Sequence, residues 1–186
     1  FSITVSDGMV NTTLQVSFAI TGSNDAPTSQ NISAAVTENG SRAFSLSDFS
    51  FSDVDSGDAL ASVRLVTLPG TGAITLSGNA VSANQIVTAA DIQAGLLVYT
   101  PALNSEATQN FAFTVRDSNG AESAVTNTFT LTINAINTVP TVSFVGATAS
   151  GFTILATDLD SSDVLTLVSA VSGSSAVNNG TNTTFT

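Results

Sequence analysis

Apolar and polar residues alternate with a period of two along most of the chain, the pattern of strands with one face buried. Phe1, Ile3 and Val5 share one parity, and Phe111, Phe113 and Val115 repeat it. Leu14-Val16-Phe18-Ile20 and Val125-Phe129-Leu131-Ile133 do the same with slips. Asp7-Gly8, Asn39-Gly40 and Asn119-Gly120 interrupt the alternation as turn signals. Between them the pattern predicts strands near 29–36, 43–47, 62–67, 72–76, 84–87, 96–100, 110–116 and 125–134. Seven or eight short strands suit two packed sheets, so the expected fold class is an all-β sandwich. One segment reads as a helical turn, 88–94, with Thr88 as its cap and Asp91 three residues on.

The chain repeats itself. Phe1-Ser-Ile-Thr-Val-Ser-Asp7 matches Phe111-Ala-Phe-Thr-Val-Arg-Asp117. Ile20, Asn24, Pro27 and Thr28 match Ile133, Asn137, Pro140 and Thr141, and the prolines lie 140 − 27 = 113 residues apart. Asp53-Val-Asp55-Ser-Gly-Asp58-Ala-Leu60 recurs as Asp158-Leu-Asp160-Ser-Ser-Asp163-Val-Leu165. That period is the size of one β-sandwich domain. Three pieces are therefore expected: residues 1–24 as the last strands of one repeat, 25–137 as a complete repeat, and 138–186 as the first half of another. Longer flanking chain would complete the outer two; exchange of strands between subunits is the alternative. Targeting signals are expected outside this window.

Composition narrows the chemistry. Fourteen acids face three bases, Arg42, Arg64 and Arg116, for a net charge of −11, and the chain has no Lys, His or Cys. An acidic chain repels nucleic acid and anionic membranes, and no apolar run reaches membrane-spanning length. Without Cys there is no disulfide to staple the fold. Without His, Lys or Cys, nothing of the usual kind activates the abundant Ser and Thr as nucleophiles, so an enzyme is not expected. The only Tyr, Tyr99, sits in the apolar run Leu96-Leu97-Val98-Tyr99, a poor place for a sugar-binding platform. Sequons at Asn11, Asn31, Asn39, Asn179 and Asn182 follow from the abundance of Asn, Ser and Thr.

Ten of the acids fall in turns or linkers near repeat ends: Asp25, Glu38, Asp53, Asp55, Asp58, Glu106, Asp117, Asp158, Asp160 and Asp163. Oxygen-only ligands at alternating spacing are what a hard cation takes; Ca²⁺ accepts six to eight in irregular geometry. The competing reading is that each Asp forms its own turn, and this is preferred for Asp7, Asp48, Asp91 and Glu122.

These residues resemble the cadherin pattern, above all the cadherin-like repeats of large bacterial surface adhesins, including biofilm and type I-secreted RTX-type ones. Asn24-Asp25-Ala26-Pro27 looks like the interdomain linker, Asp53-Val54-Asp55 like the paired-Asp motif, and Val115-Arg116-Asp117 like the later Asp. Glu38 and Glu106 resemble the two basal Glu positions. The resemblance implies Ig/cadherin-like sandwiches in tandem, one complete and two partial, with Ca²⁺ at the joints. It groups Asn24, Asp25, Asp53, Asp55 and Asp117 at a first joint, with Asp58 as an extra or local ligand. It groups Glu38, Glu106, Asn137, Asp158 and Asp160 at a second, with Asp163 in reserve. Thr138 stands where Asp25 stands in the first linker, so the second joint loses a carboxylate.

The function so implied is a calcium-stiffened spacer on a bacterial cell surface, extending a distal binding region. Its partners would be neighbouring repeats, with homotypic or filament contacts as a further expectation, and neither nucleic acid nor an inserted membrane. The alternatives are a carbohydrate- or partner-binding sandwich and a strand-exchanging filament subunit.

Overall fold

A computed structural model describes residues 1–19, 22–148, 151–160, 163–166, 176–179 and 182–185. Its first element is a hairpin of β1 (Ser2–Ser6) and β2 (Asn11–Gln15). The central module follows with β3 (Ile32–Thr37), β4 (Arg42–Ala43), a 3-10 turn (Leu46–Asp48) and β5 (Leu60–Leu65). It continues with β6 (Ala73–Leu76), β7 (Asn79–Ala80), β8 (Gln85–Thr88) and the short helix α1 (Ala89–Gln93). It ends with β9 (Leu97–Thr100), β10 (Gln109–Asp117) and β11 (Asn127–Asn134). A third group comprises β12 (Thr141–Thr148), β13 (Gly151–Thr157), β14 (Ala176–Asn179) and β15 (Asn182–Phe185).

The central module is a two-sheet sandwich. One sheet has the order β3-β11-β10-β5-β8, the other β4-β9-β6-β7. All pairings are antiparallel except β3 with β11, which run parallel. Five phenylalanines hold the sheets together. The cross-strand partners Phe111 and Phe129 stack with centroids 5.0 Å apart and planes 8° off parallel. Phe44, just after β4, meets both edge-on at 5.7 and 5.4 Å, and Phe49 meets Phe113 edge-on at 5.3 Å. Each such pair adds about 0.5–1.5 kcal/mol beyond the area it buries. Val63, Leu65, Val87, Leu97 and Leu131 complete this core. Tyr99 is fully buried, its hydroxyl donating to the Thr71 carbonyl at 3.3 Å, so it offers no exposed platform.

Local chemistry explains where the strand pattern fails. A strand over 43–47 is expected, but the chain pairs only through Ala43 and then turns. Ser45 and Asp48 form a capping box there, and Asp48 also binds Arg42 at 2.5 Å. The predicted cap of α1 is present: Thr88 Oγ1 accepts from the Asp91 amide at 3.1 Å. Asp7 behaves as a turn former, accepting from the amides of Met9 and Val10.

Glu122 does more than shape a turn, contrary to expectation. It accepts two hydrogen bonds from Arg64, at 2.9 and 2.8 Å, and one from Thr114. The Arg64 hydrogen bonds, against the cost of partial burial, hold its carboxyl below the ordinary glutamate range, and Arg64 is raised in return.

The flanking hairpin keeps the predicted alternation, but its apolar side is not buried. Phe1 and Val5 are 69% and 66% exposed. No second sheet faces β1 and β2 among the described residues. Ile20, expected to extend this face, lies outside the described residues. The third group forms one sheet, β12-β13-β15-β14, with Val142 and Phe144 exposed. Among the described residues no helix is long and apolar enough to cross a membrane.

Candidate metal centres at the ends of the central module

At one end of the sandwich, carboxylate oxygens of Asp53, Asp58 and Asp117 lie within 4.8 Å of one another. Backbone geometry assembles them. The pairing of β10 with β5 slips between Arg116 and Asp117, and such bulges re-aim a side chain. Asp117 is 1% exposed. Its Oδ1 accepts from the amides of Asn119, Gly120 and Ala121 at 2.9, 2.5 and 2.9 Å. Gly120 stands at φ +99°, a conformation that side-chain-bearing residues rarely adopt. Burial opposes ionisation of Asp117, but the Asn24 side chain and these amides outweigh it and hold the carboxyl below its usual range. Asp58 Oδ1 accepts from Ser118 Oγ at 3.0 Å and from Asn119 Nδ2 at 2.7 Å, which ties the 53–58 turn to the turn after β10.

The linker docks onto this end. Asn24 Nδ2 donates to Asp117 Oδ2 at 3.0 Å and to the Asp25 carbonyl at 3.1 Å. The Asp25 amide donates to Asp55 Oδ2 at 2.6 Å, and the Asp55 amide to Asp53 Oδ1 at 2.9 Å. The second linker repeats the last three of these bonds. Asn137 Nδ2 donates to the Thr138 carbonyl at 3.1 Å, the Thr138 amide to Asp160 Oδ2 at 2.5 Å, and the Asp160 amide to Asp158 Oδ1 at 3.0 Å.

Two more carboxylate groups gather at that second linker. Asp158, Asp160 and Asp163 have oxygens within 4.8 Å of one another, and so do Glu38, Glu106 and Asp160. Asp160 belongs to both. Glu38 is 2% exposed; its Oε2 accepts from the Ile136 amide at 3.1 Å and its amide donates to the Asn134 carbonyl at 2.8 Å. Asn39 clamps the loop that carries Glu106: Asn104 donates its amide to Asn39 Oδ1 at 2.8 Å, and Asn39 Nδ2 donates to Asn104 Oδ1 at 3.1 Å.

The expected ligands thus divide by role. Asp53, Asp58 and Asp117 converge at one end, and Glu38, Glu106, Asp158, Asp160 and Asp163 at the other. Asp58 and Asp163, read from sequence as an extra and a reserve, are full members. Asn24 touches the first group through its amide. Asp25, Asp55 and Asn137 are joined to the linker network but lie outside the three carboxylate groups. The donor sets are all oxygen. Asp53 Oδ2, Asp58 Oδ2 and Asp160 Oδ1 are buried with no hydrogen-bond partner. A buried carboxylate oxygen without a donor is costly, and a hard cation is the partner such a set fits.

The fold and these ends define a class: an Ig-like β-sandwich module with acidic poles and a linker bound to each. Residues 24–134 match the model of the family described as Bacterial Ig domain, so the chain belongs to the bacterial Ig domain family. Among solved structures, the chain is similar in fold to the protocadherin gammaB4 extracellular domain, with a TM-score of 0.53 and 14% sequence identity. That similarity covers 95% of this chain and 29% of the protocadherin, so the chain spans less than a third of its length. No curated protein matches the chain.

Proposed function

We propose that the chain is a spacer segment of an extracellular bacterial surface adhesin, built from tandem sandwiches whose joints are stiffened by Ca²⁺. Residues 1–24, 25–137 and 138–186 are read as the end of one repeat, a whole repeat and the start of the next. One observation carries the reading: buried carboxylate oxygens without donors, at Asp53, Asp58 and Asp160, sit where linkers meet the sandwich. The oxygen-only donor sets and the repeated linker network support it. The bacterial Ig family supports the extracellular, non-catalytic placement, and the cadherin-like fold supports repeat-to-repeat contact. Extracellular modules bind calcium at about 10⁻⁴–10⁻³ M, so such joints would fill only outside the cell. Type I secretion and a biofilm setting belong to the same reading.

Calorimetric calcium titration of the full 186-residue chain tests it, repeated on Asp53→Asn/Asp55→Asn and on Asp160→Asn. The expected result is binding heat in the parent and loss of one event in each variant. Equal isotherms in all three, or no heat in the parent, would return the acids to turn formation.

A further inference from the structure

Two Asn-Gly pairs lie in the central module, Asn39-Gly40 and Asn119-Gly120. In such a pair the glycine has no Cβ to shield its own amide nitrogen from the neighbouring side-chain amide. The two pairs differ in their surroundings. A Cβ built on Gly40 would lie 3.1 Å from the Thr37 carbonyl oxygen, which accepts the Gly40 amide at 3.0 Å. Both ends of the Asn39 amide are held by Asn104. A Cβ built on Gly120 would meet nothing within 4 Å, and Asn119 and Gly120 are both exposed to water. Here two carboxylates do the holding: Asp58 Oδ1 accepts from Asn119 Nδ2 at 2.7 Å, and Asp117 Oδ1 accepts from the Gly120 amide at 2.5 Å.

We propose that Asn119-Gly120 is a self-modification site, where the folded chain converts Asn119 to aspartate or isoaspartate, and that Asp58 gates the reaction. The Gly120 amide nitrogen bonds to Asn119 Cγ and gives up its proton. The Cγ–Nδ2 bond breaks, and ammonia carries that proton away. Water then opens the resulting succinimide at either carbonyl. The atoms that must move are the ones the two carboxylates hold, and each charge-assisted hydrogen bond that has to open slows the step by about tenfold. The product puts a negative charge where the structure has a donor. Asp58 Oδ1 keeps Ser118 Oγ but loses Asn119, and an end that gathers three carboxylates gains a fourth. The reaction needs no cation, so it stands apart from the calcium reading.

The test is timed incubation of the full chain in chelator at mildly alkaline pH in ¹⁸O-water, followed by peptide mass spectrometry, in which each converted Asn carries the heavy oxygen. Concentrated urea gives the ungated rate at each Asn-Gly pair. The folded parent is expected to convert Asn119, at a rate about tenfold or more below that in urea. Asp58→Ala, which removes the acceptor of Nδ2, is expected to speed Asn119 about tenfold and leave Asn39 at its parent rate. Asp58→Asn, which keeps an oxygen for Asn119, is expected to stay closer to the parent than Asp58→Ala does. No product at 119 in the folded parent, over a period in which urea converts it fully, would overturn the site. An Asn119 rate unmoved by Asp58→Ala would overturn the gate. So would equal acceleration of Asn39 and Asn119 in that variant, since the module would then have loosened as a whole.

Discussion

Replacing Asp58 by Asn should change stability in opposite directions with and without calcium. Two carboxylates 4.8 Å apart, the limit that encloses Asp53, Asp58 and Asp117, repel by about 3 kcal/mol at an effective dielectric near 20. Asn at 58 removes two of the three repelling pairs and keeps an oxygen for Ser118 and Asn119. Solvent and those hydrogen bonds screen most of the gain, leaving about 1 kcal/mol in favour of the variant in chelator. Calcium reverses the order. At about 10 mM ion and a Kd of about 10⁻⁴–10⁻³ M, binding stabilises the parent by roughly 1.4–2.7 kcal/mol. For a domain of this size each kcal/mol moves Tm by about 4 °C. The parent should therefore gain about 6–11 °C on adding calcium, while Asp58→Asn starts about 4 °C higher and gains little. Differential scanning calorimetry in chelator and in calcium measures all four values. Equal shifts on adding calcium would mean that Asp58 does not help hold an ion, and equal Tm values in chelator that it does not repel its neighbours; either result would refute the reasoning.

The core and the surface ion pair give two further expectations. Phe129→Ala should cost about 3–5 kcal/mol by urea denaturation, since the ring is fully buried against Phe44, Phe49 and Phe111, whereas Phe18→Ala, at a ring that is 73% exposed, should change stability by about 0.5 kcal/mol or less. Glu122, its carboxyl held down first by the Arg64 hydrogen bonds, contributes stability that is present above the ordinary glutamate range and is lost as pH falls through its lowered pKa. Glu122→Gln should thus be less stable than the parent near neutral pH and converge with it in acid. A gap that persists in acid, once the carboxyl is protonated, would rule out the ion pair as its source.

Much of the fold was legible because the core depends on parity. Phe111, Phe113 and Val115 alternate in the sequence and point into the same core, and the Thr88 cap follows from one hydroxyl and one amide three residues on. What stayed hidden depended on contacts between distant segments. Nothing adjacent to Asp58 reveals that Ser118 and Asn119 will hold it. The slip between Arg116 and Asp117 that aims Asp117 has no signal in an alternating run. Glu122 reads as a turn residue because its partner, Arg64, lies 58 residues away in sequence. The short pairing at Arg42 and Ala43 was readable in hindsight: Ser45 and Asp48 have capping-box spacing, which competes with strand extension.

The linkers show why one motif can be repeated with a changed side chain. At Asp25 and at Thr138 the chain is anchored by its amide to the second Asp of an Asp-x-Asp turn, and the first Asp of that turn accepts from the second's amide. These bonds use main-chain donors and carboxylates from the following module, so they specify the linker's path whatever side chain stands at 25 or 138. Substitution at that position is free to change the linker's charge without undoing its backbone contacts. The linker's path and the side-chain charge at 25 and 138 are thus encoded by different atoms.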